Sequence, residues 1–96
     1  MPDIWISGPD TGHADLNRPA FEDASDKLIN LGKVTIPHDI VPGDTDHDLA
    51  MEICLKHILD NSEYVVMLPG WRDSEGATLE KQVAVGCGIP VLELIA

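Results

Sequence analysis

Leu68-Pro-Gly-Trp-Arg-Asp-Ser-Glu-Gly-Ala-Thr-Leu-Glu80, entered through the apolar run Glu63-Tyr-Val-Val-Met-Leu68, decides how this chain folds. The run is short and β-branched, the Pro69-Gly70 pair stops it, and small residues then open a helical pattern. A strand that ends in a loop and hands over to a helix N-terminus is where α/β proteins build their sites. On a helical wheel of about 100° per residue counted from Leu79, Val83, Cys87 and Ala84 fall at about 40°, 80° and 140°. Glu80, at about 100°, lies inside that apolar arc, where a carboxylate costs free energy unless it is paired or used.

The same alternation extends in both directions. The first strand is Asp3-Ile-Trp-Ile-Ser7, followed by a loop from Gly8 to Asn17. A helix then starts with Asn17 or Arg18 at its cap and Pro19 in its first turn; Phe21, Ala24, Leu28 and Leu31 form one apolar face and Gly32 ends it. Lys33–Ile36 is the second strand, stopped by Pro37. A polar loop, His38–Thr45, leads to Asp46 as N-cap of a second helix running to about Asn61, with Leu49, Ile53, Ile58 and Leu59 inward. The third strand is Tyr64–Leu68, the third helix spans Glu75–Gly86, and Pro90–Ile95 is the fourth strand.

Strands alternating with helical crossovers imply a parallel sheet with right-handed connections. The expected architecture is a small Rossmann- or flavodoxin-like α/β fold of three layers, with a four-stranded parallel sheet ordered 2-1-3-4. That order puts the topological switch between strands 1 and 3, so the Ser7–Asn17 and Leu68–Ser74 loops flank one crevice.

The chain has 96 residues, 44% of them apolar, which suits one domain with a modest core. Such a core gains from a partner subunit, so a homodimer or larger homo-oligomer is expected. Cys54 and Cys87 fall among apolar neighbours in helical patterns and read as reduced core residues of a cytoplasmic protein. The sequence contains neither a basic signal-peptide start nor a long apolar segment, and no membrane association is expected. With 17 acidic and 6 basic residues the formal net charge is −11. Such a surface repels phosphate polymers and anionic lipid, which argues against DNA or RNA but not against a small ligand in a local pocket.

Ser7-Gly-Pro-Asp-Thr-Gly12 lets the backbone approach a ligand and makes Ser7, Gly8, Pro9 and Asp10 candidate cradle residues; the alternative is a tight strand exit. It lacks the Gly-Lys-Ser/Thr of a Walker loop and the spacing of a dinucleotide fingerprint. Asp44, Asp46 and Asp48, near His47, His38 and Asp39, invite a calcium reading, but Leu49 stands where the loop needs Gly and Leu55 where it needs Glu. An acidic loop with a helix cap fits better, and no metal is expected. His13 and His57 lack partners at ligand spacing and read as surface residues. Trp5 and Trp71 fall near the crevice, where an indole stacks well on a nucleobase, with core packing the alternative for Trp5. Glu80 near a helix start is expected to be held ionised by the helix dipole and nearby donors, as a nucleophile toward an oxocarbenium-like sugar carbon requires.

Ile4-Trp-Ile-Ser-Gly-Pro-x-Thr-Gly12, the Asn17-x-Pro-Ala-Phe21 helix entry and Leu68-Pro-Gly-Trp-x-x-Ser-x-Gly-Ala-x-x-Glu80 together resemble DUF4406, a family of small phage and bacterial proteins related to the nucleoside 2-deoxyribosyltransferases. The resemblance covers most of residues 1–96 as one domain. It implies a nucleoside or nucleotide site in which Glu80 matches the catalytic glutamate that attacks C1′ of a deoxyribose and releases the base. A second base then takes the sugar, or water does in deoxynucleotide N-hydrolases. No cofactor is implied.

The chain departs from the transferase pattern at three points. The strand-1 tyrosine that steadies the glutamate is Trp5, the sugar-binding carboxylate six residues before it is Ser74, and the acid at the start of the third strand is at best Glu63. Ser74 also suits a nucleotide, since a hydroxyl tolerates a nearby phosphate better than a carboxylate does. Pro69–Glu80 is also similar to the phosphate-binding loop of SLOG-type nucleotide-binding families. The expected site is therefore Glu80 with Ser7, Gly8, Pro9, Asp10, Gly70, Ser74 and Gly76, and with Trp5 and Trp71 facing the base. The alternatives are an inert nucleotide-binding module and an acidic protein that engages a host protein as a phosphate-backbone mimic.

Overall fold

Trp5 and Ile6 are adjacent in sequence, fully buried, and packed into two different cores. That division is the period-2 alternation of a strand buried on both faces. The computed structural model describes residues 1–10 and 13–94. Thr11 and Gly12 of the first loop motif and Ile95 of the expected fourth strand lie outside the described residues.

The elements are β1 (Asp3–Ser7), α1 (Arg18–Leu28), β2 (Lys33–Thr35), α2 (Pro37–Ile40), α3 (His47–Asn61), β3 (Tyr64–Met67), α4 (Glu75–Gly86) and β4 (Val91–Glu93), with 3-10 turns at Ala14–Asn17 and Trp71–Asp73. All strand pairs are parallel and the order is β2-β1-β3-β4, as the alternation predicts. Trp5 pairs with Thr35 on one side and Val65 on the other; Val65 pairs with Val91. α1 covers one face, packing Phe21 and Ala24 with Ile6, Ile36 and Leu68. α3 and α4 cover the other, packing Cys54, Ile58, Ala77 and Ala84 with Trp5, Val65 and Met67. Each fully buried large apolar side chain contributes about 1.5–3 kcal/mol, so these two cores set the stability of a small domain.

Several expectations are corrected. The His38–Thr45 loop is not all loop, because Pro37 at the first helical position presets φ and starts the short α2. β2 therefore ends at Thr35, and the Ile36 N–H donates to the Asp39 carboxylate at 3.3 Å. α1 stops at Leu28, before Gly32, leaving Leu31 64% exposed. β4 is confined to Val91–Glu93 at the sheet edge, where only β3 offers ladder partners.

Asp46 does cap α3, its carboxylate accepting from the Leu49 N–H at 3.0 Å. Leu49 and Leu59 are nevertheless exposed, and Cys54 and Ile58 take the inner face. α3 is apolar most of the way round, and the sheet chose the face. Both cysteines are free, but Cys87, at the end of α4, is exposed and not a core residue. No helix among the described residues is long and apolar enough to cross a membrane.

Candidate functional site

The carboxyl ends of β1, β2 and β3 open into one cleft of about 1160 Å³. Gly8, Pro9 and Asp10 enter it from the end of β1, and Gly70, Ser74, Gly76 and Glu80 from the β3 loop and α4. The two segments expected to flank a crevice do so, at the topological switch of the sheet. Two further walls were not foreseen. Pro37, His38 and Val41 come from α2 and the residue after it, and Ala50, Met51 and Cys54 from α3. Nothing in the helical periodicity separates a residue facing a cleft from one facing a core, so these carried no signal.

Ser74 caps α4, its Oγ accepting from the Ala77 N–H at 3.2 Å. Gly70 holds the strand exit at φ 85°, a left-handed conformation that side chains with a Cβ avoid. At Gly76 a Cβ would sit 3.0 Å from Met51 Sδ, so glycine lets α3 close on the start of α4.

Glu80 is 6% exposed and the buried charged residue among those described. The Trp5 indole Nε1–H donates to its Oε1 at 2.9 Å. Ser7 Oγ is fully buried and completes no well-aligned hydrogen bond, yet it lies close enough to Glu80 to draw the carboxyl pKa down. Burial outweighs both donors, and the Asp10 charge adds to it, so the Glu80 carboxyl is pushed up from 4.5 to about 7. The expectation that the helix start holds this group ionised is therefore corrected. Glu80 lies beyond the first turn of α4, where the dipole has faded, and no cation among the described residues forms a salt bridge with it. Both protonation states are populated at neutral pH. Burial, reinforced by Glu80 and Asp10, likewise pushes the Cys54 thiol up to about 12, so this residue lines the cleft as a neutral thiol.

Neither tryptophan lines the cleft. Trp5 is wholly buried and spends its N–H on Glu80. His57, expected at the surface, is half-buried with its ring 5.3 Å from the Trp5 ring. Trp71 is 7% exposed and turned toward β4, its Nε1–H donating to Glu93 Oε1 at 2.9 Å. Arg72 and Lys81 sit over its ring at 4.6 and 4.5 Å. A loop tryptophan with two cations and a carboxylate as neighbours anchors the loop to the sheet edge and does not line the cleft. Glu63 immediately precedes β3 at the opposite end of the sheet, its N–H donating to the Asp3 carbonyl, and takes no part in the cleft.

Among the described residues no group of carboxylates, histidines and cysteines could hold a metal ion. His38 donates through Nε2–H to the Leu16 carbonyl at 2.8 Å, and Asn17 Nδ2 donates to the Pro9 carbonyl at 2.8 Å. Leu16 and Asn17, just before α1, have φ of 50° and 58°, a left-handed conformation uncommon for residues with a side chain. No curated protein and no solved structure matches the chain. The model of a domain family of unknown function, DUF4406, matches residues 2–93, and the chain belongs to that family.

Proposed function

We propose that the cleft binds a 2′-deoxynucleoside or 2′-deoxynucleotide and that Glu80 is the nucleophile that breaks its N-glycosidic bond, in transfer to a second base or in hydrolysis. The observation that carries this reading is Glu80 itself, a buried carboxyl opening onto a cleft and oriented by one indole N–H at 2.9 Å. A sugar carbon losing its base develops oxocarbenium character, and a desolvated carboxylate stabilises that charge far more than one in water does. Attack at C1′ forms a glycosyl ester on Glu80 and sends the bond's electron pair to the base nitrogen. Water or a second base then displaces the ester and restores the carboxylate. Gly8, Ser74 and Gly76, which line the cleft, are the groups we assign to holding sugar or phosphate.

One observation favours a second reading. Ser74, where the transferases that the sequence resembles carry a sugar-binding carboxylate, has its hydroxyl engaged in capping α4, as suits a module that binds a nucleotide without cleaving it. The experiment separates the two. Wild type and Glu80→Ala are incubated with a panel of deoxynucleosides and deoxynucleotides, and free base is measured alongside binding. Base released by wild type alone supports the enzyme. Equal binding by both proteins with no base from either leaves the inert module and removes the nucleophile.

A further inference from the structure

Breaking an N-glycosidic bond leaves an electron pair on the base, and an unprotonated purine or pyrimidine leaves poorly. The site must therefore hold a proton carrier that reaches both the cleft and Glu80. Most candidates fail on their surroundings. Asp73 and Glu75 line the cleft but are exposed at its rim, as are His13 and His47. His38 has given its Nε2–H to the Leu16 carbonyl, and its Nδ1 is buried away from the cleft solvent. Cys54 is too weak an acid.

Asp10 remains. It lines the cleft, is half-buried, and is the charged residue whose field both Glu80 and Cys54 feel. Its backbone is fixed, since its carbonyl accepts the His13 N–H at 3.1 Å and Asn17 holds the preceding carbonyl of Pro9. The single segment from Trp5 to Asp10 thus brings an indole donor and a buried hydroxyl to Glu80, and a second carboxyl to the cleft that Glu80 lines.

Resting on the deoxyribosyl reading above, we propose that Asp10 is the acid–base partner of Glu80. It takes the glutamate's proton, delivers it to the departing base, and recovers a proton from the incoming water. The proton balance closes. Transfer from Glu80 to Asp10 makes the first a nucleophile and the second an acid. The Glu80 oxygen bonds to C1′ as the C1′–N bond breaks, and the base nitrogen takes the Asp10 proton. The Asp10 carboxylate then removes a proton from water, whose oxygen displaces the ester at C1′, so the pair ends with the one proton it began with.

A leaving group that needs no proton isolates this step. Wild type, Asp10→Asn, Asp10→Glu and Glu80→Gln are mixed in excess over 2′-deoxyguanosine or 7-methyl-2′-deoxyguanosine, over 2′-deoxyuridine or its 5-fluoro analogue, and over the 5′-monophosphates of all four. Base release in a single turnover is measured. The 7-methylated base departs neutral without protonation. Asp10→Asn is expected to keep that release within about tenfold of wild type while release of guanine falls by roughly 10²–10⁴-fold, the usual contribution of a general acid. The fluorinated base, a better leaving group than uracil, should lose less than uracil does. Asp10→Glu restores part of the guanine release, and Glu80→Gln abolishes both. If Asp10→Asn slows both members of each pair alike, or neither, the acid–base role is wrong while the deoxyribosyl reading stands. If wild type releases no base from any compound, that reading falls and takes this one with it.

Discussion

Two tryptophan–glutamate pairs in this molecule have the same bond and different consequences. Trp5 donates to Glu80 and Trp71 to Glu93, each through the indole N–H at 2.9 Å. Glu93 stands at the sheet edge with 43% of its side chain exposed and the Arg72 guanidinium 3.5 Å away, so water and a cation accommodate its charge. Glu80 is 6% exposed and has neither. One indole donor orients a carboxyl in both places. Burial without a counter-charge is what turns one of them into a group poised near neutrality.

The largest expected effect tests that difference directly. Glu80 titrates near 7 in the folded chain against 4.5 unfolded, so between those values the folded state holds a proton that the unfolded state has lost. Stability therefore falls as pH rises through that window, by about 3 kcal/mol in all, and stays low above it. Glu80→Gln keeps an acceptor for Trp5 and removes the titration. It should stabilise the protein by about that amount at pH 8 and hardly at all at pH 4.5, whereas Glu93→Gln should show no such pH-dependent gain. Thermal unfolding of both variants across this range is the measurement. A flat difference for Glu80→Gln would remove the buried-carboxyl account.

Next comes the donor. Trp5→Phe deletes the N–H that favours the ionised carboxyl and trims a fully buried ring, so it should cost about 2 kcal/mol and push the Glu80 titration further up. Trp71→Phe should cost about 1 kcal/mol and leave that titration where it is. Following the Glu80 side-chain carboxyl carbon by NMR as pH is raised, with thermal unfolding beside it, reads both.

Catalysis offers a third comparison. With 7-methyl-2′-deoxyguanosine only the ionised Glu80 is needed, so single-turnover base release should rise with pH to a plateau with its midpoint near 7. Replacing Glu93 should not move the midpoint. The smallest effect belongs to the exposed pair: Arg72→Ala should change stability by less than about 0.5 kcal/mol, because solvent screens a partner 72% exposed. A larger loss would mean that the cation over Trp71 matters more than its exposure allows.

Much of this is legible in the amino-acid sequence alone. The period-2 and period-3.6 patterns, the Pro-Gly and Asp stops and the handedness of crossovers are local or nearly local physics, and they led to a parallel sheet ordered 2-1-3-4 and to helices over Glu75–Gly86 and close to Asp46–Asn61. The wheel position of Glu80 already marked it as an inward carboxylate. Other features were read wrongly for physical reasons. Leu49 and Cys87 look as apolar as Ile58, but which side of a helix becomes its buried face depends on where the sheet lies. Trp71 follows a glycine in a loop and looks free to stack on a ligand. Its ring instead found two cations and a carboxylate that come from residues up to 22 positions away.

The sequence by itself determined the order of the elements, the switch point between β1 and β3, and the membership of Glu80 in the face that meets the sheet, because each follows from spacing along the chain. Only the tertiary structure decided that the Trp5 N–H would be spent on Glu80, that α2 and α3 would complete the cleft, and that Glu80 would hold its proton to about pH 7. The reason is that desolvation and hydrogen-bond partners depend on everything packed around a group. The donor that orients Glu80 lies 75 residues away along the chain.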